Sequence, residues 1–181
     1  ENESKKRLKF EEEWEQKRID ADIKAKARIE WIQNVRMLEV EFVHNTNMFL
    51  MNATSAATTA GHYMKDPYGD EKVVEYKRLI DKYVEATTLY LTEVRKNVTL
   101  LKLYFGKNDK DNEIISLSEK ILENIEVSYE KNDRIIRNIA VDEIKKAESL
   151  VDEIIEKNVK QNNYLNNFVL KARDYNKTEW D

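Results

Sequence analysis

Residues 70–106 read DEKVVEYKRLIDKYVEATTLYLTEVRKNVTLLKLYFG, and this stretch decides the fold class. A seam of mostly apolar residues runs through it at alternating steps of four and three: Val73, Lys77, Ile80, Val84, Thr87, Leu91, Val94, Val98, Leu101 and Phe105. This spacing lines up side chains on one face of an α-helix and predicts a helix that packs against other helices. Asp70 is suited to cap its N-terminus, and Gly106 is suited to end it.

The sequence before this stretch predicts a first helix with the same seam. Its seam residues are Trp31, Val35, Leu38, Phe42 and Phe49, and Asn45 fills the gap. Residues 1–25 are densely charged, with pairs such as Glu13 and Lys17 at the helix-supporting spacing of four, so we expect a solvated stalk continuous with this helix. The stretch 52–60, rich in Ala, Thr and Ser, predicts either a close helix approach or a loosening helix end. Gly61, Pro67 and Gly69 then mark the clearest break in the chain.

Two more helices are predicted after Gly106. The third begins near Asn112 and carries Ile114, Leu117, Ile121 and Ile125. It ends either near Asn132 and Asp133 or within 138–142, and we favour the second because Asp142 can cap the next helix. The last helix runs to about Asn176, with these residues on its inner side: Ile144, Leu150 or Val151, Ile154, Ile155, Tyr164, Leu165 and Phe168.

The sequence therefore predicts an all-α fold, an antiparallel up-down-up-down four-helix bundle, because short connections make consecutive helices antiparallel neighbours. We expect residues 1–181 to form one helical domain, with the stalk over 1–25 and the bundle over 26–176. Long first and last helices should project together at one pole of the bundle, which brings Trp14 and Trp180 to the same end.

The composition argues against most catalytic chemistry. The chain has 181 residues, of which 36% are charged, and it contains three glycines, one proline, two histidines and no cysteine. Its net charge of -4 is spread along the sequence, so we expect no nucleic-acid partner. No run of 18 apolar residues is present that would span a bilayer.

The candidate metal motifs are incomplete. Glu41 and His44 form one Glu-x-x-His pair of the kind that di-iron bundles need twice, but His62 lacks the matching glutamate. The acidic run from Asp109 to Glu113 resembles the start of a calcium loop, yet Ile114 stands where glycine is needed and Lys120 where the last glutamate is needed. We therefore predict no catalytic residue, no metal and no cofactor.

One segment resembles a known group of proteins. Residues 26–36, KARIEWIQNVR, are similar to the K-x-R-I-E-W-I-Q-x-V-R segment of uncharacterised bacterial and phage proteins. Residues 103–109, LYFGKND, resemble the helix end and polar turn after the group's second helix, where L-L-N-P-N is commoner, and Glu179-Trp180-Asp181 resembles its C-terminal E-W-E. Those proteins typically have one N-terminal transmembrane helix followed by a cytoplasmic helical domain. The resemblance implies membrane tethering, and it makes Arg28, Trp31, Gln33, Arg36 and Trp180 candidates for an inter-helix or partner contact.

The leading interpretation is a non-enzymatic helical interaction or scaffold domain on the cytoplasmic side of a bacterial membrane. We expect a protein partner or self-association, and attachment to the membrane through a segment upstream of residue 1. The basic cluster Lys5, Lys6, Arg7 and Lys9 fits the flank of such a segment, or an ordinary solvated helix start. A first alternative is an extracytoplasmic four-helix ligand-sensing domain, and a second is a helical metal-binding protein.

Overall fold

The computed structural model describes residues 2–65, 70–105, 109–140 and 144–180, and within them the chain is helical almost throughout. The four helices are α1 (Asn2–Lys65), α2 (Asp70–Tyr104), α3 (Asp109–Ala140) and α4 (Ile144–Trp180). These described ranges contain no β-strand. The predicted all-α class, with four helices packed against one another, is confirmed.

The helix boundaries agree with the sequence at most positions. The second helix begins at Asp70 as predicted, and the third helix ends at Ala140, so the later of its two candidate ends is the right one. α1 ends at Lys65 and α2 begins at Asp70, in agreement with the predicted break over Gly61, Pro67 and Gly69, although Gly61 itself lies within α1. Pro67, Gly69, Gly106 and Asp142, to which turn or cap roles were assigned, lie outside the described residues.

The chain divides into two compact units, residues 1–37 and residues 38–181. In the first unit the described residues from Glu3 to Glu30 are all solvent-exposed, and burial begins with Ile32 and Val35. Polar pairs one helical turn apart support this part of α1, including an ion pair of 3.1 Å between Arg7 Nε and Glu11 Oε1. A helix with this much exposed surface depends on such local pairs more than on a core.

The second unit has a core built from the predicted seams. Phe42, Phe49, Leu101, Ile121 and Phe168 are fully buried. The rings of Phe42 and Phe168 lie 4.7 Å apart between their centroids, which fixes α1 against α4. A second pair of rings joins the end of α2 to α4: the centroids of Phe105 and Tyr175 lie 5.1 Å apart.

Small residues of α1 also belong to this core. Ala53, Ala56, Ala57 and Ala60 are all buried, so the stretch 52–60 is a place of close helix approach and not a loosening end. One cluster joins all four helices near this point, and its buried members are Ala57, Ala60, Met64, Ile80, Ile135, Ala147, Val151 and Ile154. Two residues predicted on the inner side of α4, Ile155 and Tyr164, are instead exposed.

Polar contacts pair the helices of the second unit in a regular order. From α2 to α3 they join Lys102 to Glu119, Arg95 to Glu126 and Thr88 to Tyr129. From α3 to α4 they join Glu113 to Lys171, Ser128 to Asn158 and Lys131 to Glu153. In both series the residue numbers rise along one helix as they fall along the other.

Candidate functional site

The four candidate contact residues on α1 do not share one face of the helix. Arg28, Gln33 and Arg36 are exposed on α1, and Trp31 is half-buried among them. Since an α-helix turns by about 100° per residue, Gln33 lies roughly 140° around the helix from Arg28. Trp180 lies in the last turn of α4, and its side chain is outside the described residues.

The core of the second unit instead contains a set of buried amide side chains. Asn97, only 1% exposed, lies on α2 and faces two residues of α1. Asn45 Nδ2 donates a hydrogen bond of 2.8 Å to Asn97 Oδ1, and Asn97 Nδ2 donates one of 3.5 Å to Glu41 Oε2. The predicted seam position of Asn45 is thus used for a polar link between α1 and α2.

A second group of polar side chains joins α1, α3 and α4. Asn158 Nδ2 donates to Thr54 Oγ1 at 2.9 Å, and Ser128 Oγ donates to Asn158 Oδ1 at 3.4 Å. Asn132 Nδ2 donates to the backbone oxygen of Ala53 at 3.4 Å. Because one amide of α4 bonds to both α1 and α3, it ties three helices together at one level of the bundle.

Two further amides hold α4 in place. Gln161 Nε2 donates to the backbone oxygen of Ile121 at 3.0 Å, and Asn176 Nδ2 donates to Glu39 Oε2 at 2.6 Å. Both amides are buried. Buried polar groups that find partners in only one alignment of the helices favour that alignment over others.

Sequence reasoning missed these amides on α4, although a signal for them exists. Seven of the buried positions of α4 follow one another at steps of four and three, and they are Ile154, Asn158, Gln161, Leu165, Phe168, Ala172 and Tyr175. We name this set the α4 inner seam. Asn158 and Gln161 stand at seam positions in an asparagine-rich stretch, and their spacing alone would have marked them as buried.

The titratable groups with shifted pKa values lie in ion pairs at the surface. The hydrogen bond from Lys131 lowers the pKa of the Glu153 carboxyl, and the one to Glu113 raises the pKa of the Lys171 amine. His44, the histidine of the Glu-x-x-His pair, is exposed on α1. In the part of the chain that the structure describes, no three or more His, Asp or Glu side chains converge as a metal site would require.

A groove between α1 and α4 opens to solvent beside the buried amides. Its lining on α1 includes Asn47, Met51 and Ser55, and its lining on α4 includes Ile155, Val159 and Asn162. Met51 is 55% exposed and Val159 is 64% exposed, so both present apolar surface to water. None of the residues that line this groove is charged.

Comparisons with known proteins assign no family to this chain. No protein-family model, no curated protein and no solved structure matches it. Among the described residues, none of the helices combines the length and the apolar character needed to cross a bilayer.

Proposed function

We propose that the four helices form an antiparallel up-down-up-down bundle. The order of the polar contacts supports this topology, since the paired residue numbers run in opposite senses from α2 to α3 and from α3 to α4. Glu39 bonds to Asn176 and Thr54 bonds to Asn158, so the paired residue numbers also run in opposite senses from α1 to α4. The projection of the first and last helices at one pole stays a prediction.

We propose further that the chain is a non-enzymatic helical interaction and scaffold domain. The observation that carries this proposal is the exposure of two aromatic side chains, Phe10 at 65% and Trp14 at 62%, in the charged N-terminal part of α1. They are four residues apart and so lie on the same side of the helix. An aromatic side chain buries about 150–250 Å² when it is covered, and this makes such residues effective anchors for a protein partner.

The surroundings of Phe10 and Trp14 suit recognition by another helix. Acidic residues at Glu11, Glu12 and Glu13 separate the two rings along the chain. A partner helix with an apolar face and basic flanks would cover the rings and pair with Glu11 and Glu13, which lie on either side of them. Arg28, on the same side of α1 as Phe10, would extend this contact, while Gln33, Arg36, Trp31 and Trp180 remain candidates for other helix or partner contacts.

The proposed location is the cytoplasmic side of a bacterial membrane, with attachment through a segment upstream of residue 1. This part of the proposal is supported by the resemblance of residues 26–36 to membrane-tethered bacterial and phage proteins. The basic residues Lys5, Lys6, Arg7 and Lys9 fit the cytoplasmic flank of a membrane segment. The ligand-sensing and metal-binding alternatives stay predictions without a specific observation in their favour.

Photocrosslinking at single positions tests the interaction proposal. A benzophenone amino acid placed at Trp14 in the full chain should yield a discrete protein adduct in bacterial cells. The same group at Gln16, also exposed but on the opposite side of α1, should yield much less. Equal adduct yields at the two positions, or no adduct at either, would contradict a partner site at Phe10 and Trp14.

A further inference from the structure

Helix α4 carries a second heptad-spaced row of residues on its exposed side. These residues follow steps of three and four, and they are Asp152, Ile155, Val159, Asn162, Asn166, Val169 and Arg173. We name this row the α4 outer seam. All seven residues are exposed, so the row is not used by the core of the chain. A helix that continues this spacing on a solvent-facing side is patterned to pack against another helix.

The middle of the outer seam is free of charge in a chain where 36% of residues are charged. Between its acidic and basic ends it presents Ile155, Val159, Asn162, Asn166 and Val169. The neighbouring wall of the groove belongs to α1, where residues 45–64 include no Asp, Glu, Lys or Arg. Charged residues normally cover the solvated face of a helix, so their exclusion from both walls favours a surface suited to contact with another chain.

We propose that the α4 outer seam, with the adjoining α1 wall of the groove, binds a second copy of this chain in an antiparallel two-fold arrangement. The inference rests on the proposed association function and names its surface and its partner. A two-fold interface brings the same patch of both copies together, so each residue must suit its symmetry mate as well as its neighbours.

The charges at the two ends of the outer seam satisfy this condition. Asp152 lies ten residues before Asn162, and Arg173 lies ten residues after Asn163. A two-fold axis between these asparagines therefore sets Asp152 beside Arg173 of the second copy. One further turn out, the same axis sets Glu148 beside Lys177 of the second copy.

Both charged ends are available for such pairing. In the described part of the chain, neither Asp152 nor Arg173 takes part in an ion pair or a side-chain hydrogen bond. Other charged residues of α4 are already engaged, as Glu153 is with Lys131 and Lys171 with Glu113. The symmetric arrangement supplies the missing partners twice in each dimer.

The uncharged middle of the α4 outer seam also suits contact with the same surface of a second copy. Ile155 comes level with Leu170 of the second copy, and Val159 with Asn166 of the second copy. The amides of Asn162 and Asn163 meet across the axis, and an amide can both donate and accept a hydrogen bond. Asparagine in a heptad seam is known to select one alignment and one number of helices, which fits a defined antiparallel pair.

The size of the surface fits a specific but modest dimer. The 21 steps from Asp152 to Arg173 span about 32 Å at a rise of 1.5 Å per residue. Two helices about 10 Å apart give a width of roughly 20 Å. The resulting footprint of roughly 600 Å² approaches the about 800 Å² per partner of a standard interface.

Charge reversal in the full chain tests the proposal by sedimentation velocity of the purified protein. We expect the unmodified chain to dimerise, and Asp152→Arg and Arg173→Asp each to weaken the dimer roughly tenfold, because each change converts two attractions into two repulsions. The double variant D152R/R173D exchanges the two charges and should restore the dimer. Asp81→Arg, a reversal at an exposed position of α2, is the matched control and should change nothing.

An unmodified chain that is monomeric would overturn the proposal. So would single reversals that leave the dissociation constant of the dimer unchanged, or a double variant that does not restore the dimer. Circular dichroism of each variant confirms that α-helix content is kept, so a loss of dimer cannot come from unfolding. A monomer whose Trp14 position still crosslinks to a partner would refute the dimer alone. A dimer without that crosslink would refute the stalk contact alone.

Discussion

Asn158 shows how one buried side chain can connect three helices. It is 5% exposed, and its amide bonds to Thr54 of α1 and to Ser128 of α3. A buried amide with partners adds little net stability, but leaving its partners unsatisfied is costly. Its main effect is therefore to reject other alignments of α4, in which its hydrogen bonds would be lost.

Replacing Asn158 with leucine tests this role. We expect Asn158→Leu to lower the free energy of unfolding by about 1–3 kcal/mol, because the hydroxyls of Thr54 and Ser128 lose a buried partner. The triple variant Asn158→Leu, Thr54→Val and Ser128→Ala removes all three polar groups and should recover most of that loss. Urea unfolding measures both values.

The matched control for this substitution is Asn167→Leu on the exposed side of the same helix, which should change the free energy of unfolding by less than about 0.5 kcal/mol. A triple variant no more stable than Asn158→Leu would show that leucine is rejected for its shape and not for the lost hydrogen bonds.

Among the helices, α2 follows its sequence pattern most closely. Its seam from Ile80 to Phe105 is buried except for Val84, which is half-buried. The neighbouring row that includes Tyr83 and Tyr90 is also half-buried. On α4 the inner seam and the outer seam have the same spacing and lie side by side. The sequence pattern predicts Ile155 on the inner side, whereas the structure places it in the outer seam. Periodicity alone cannot choose between two such rows, because the choice depends on which row meets α1 and α3.

Gly61 shows how α1 continues through the first residue of the predicted break. A glycine within a helix costs only about 1 kcal/mol relative to alanine. Ala57, Ala60 and Met64 on either side of it are buried in a cluster with residues of the other three helices. Burial of these side chains outweighs the cost, so the helix continues to Lys65.

The ion pair between α3 and α4 should give the bundle a measurable response to acid. Lys131 donates to Glu153 and lowers the pKa of that carboxyl below its ordinary 4.5. A carboxyl with a lowered pKa in the folded state stabilises the protein above its ordinary pKa, and this contribution is lost as the pH falls through the lowered value.

Melting temperatures check this expectation. They are measured for the unmodified chain and for Lys131→Met over a range of pH. The variant should melt at a lower temperature at pH 7, and the difference should shrink as the pH is lowered below the carboxyl's ordinary pKa of 4.5. Lys82→Met, at an exposed position of α2, should show a difference that does not change over the same range. A Lys131→Met difference that persists in acid would indicate that the lysine acts through packing instead.

At the scale of the whole molecule, the fold class could be predicted from the sequence and the candidate site could not. Helical periodicity is local, so the four helices and most of their ends could be predicted from neighbouring residues. The buried amide network joins residues far apart, such as Thr54 and Asn158, which are 104 positions apart. No local pattern reports which distant helix a given amide will face.

The two compact units should behave differently when they are separated. The fragment 38–181 contains its own core, so we expect it to unfold cooperatively, with a melting temperature within roughly 10 °C of the full chain, because each 1 kcal/mol moves that temperature by about 2–4 °C. The peptide 1–37 should be partly helical and melt without a sharp transition, because isolated helices are marginal in water. Circular dichroism during heating distinguishes the two. A fragment 38–181 that melts gradually would contradict this division.

The link between Glu39 and Asn176 spans 137 positions of the chain and has a consequence for biosynthesis. During translation at roughly 5–20 residues per second, the inner face of α1 waits about 7–27 s before the last turns of α4 have been made. Until then its apolar residues have no complete set of neighbours. The inner face of α1 therefore finishes folding only after α4 has been synthesised, and its apolar residues stay open to contacts with other chains during that interval.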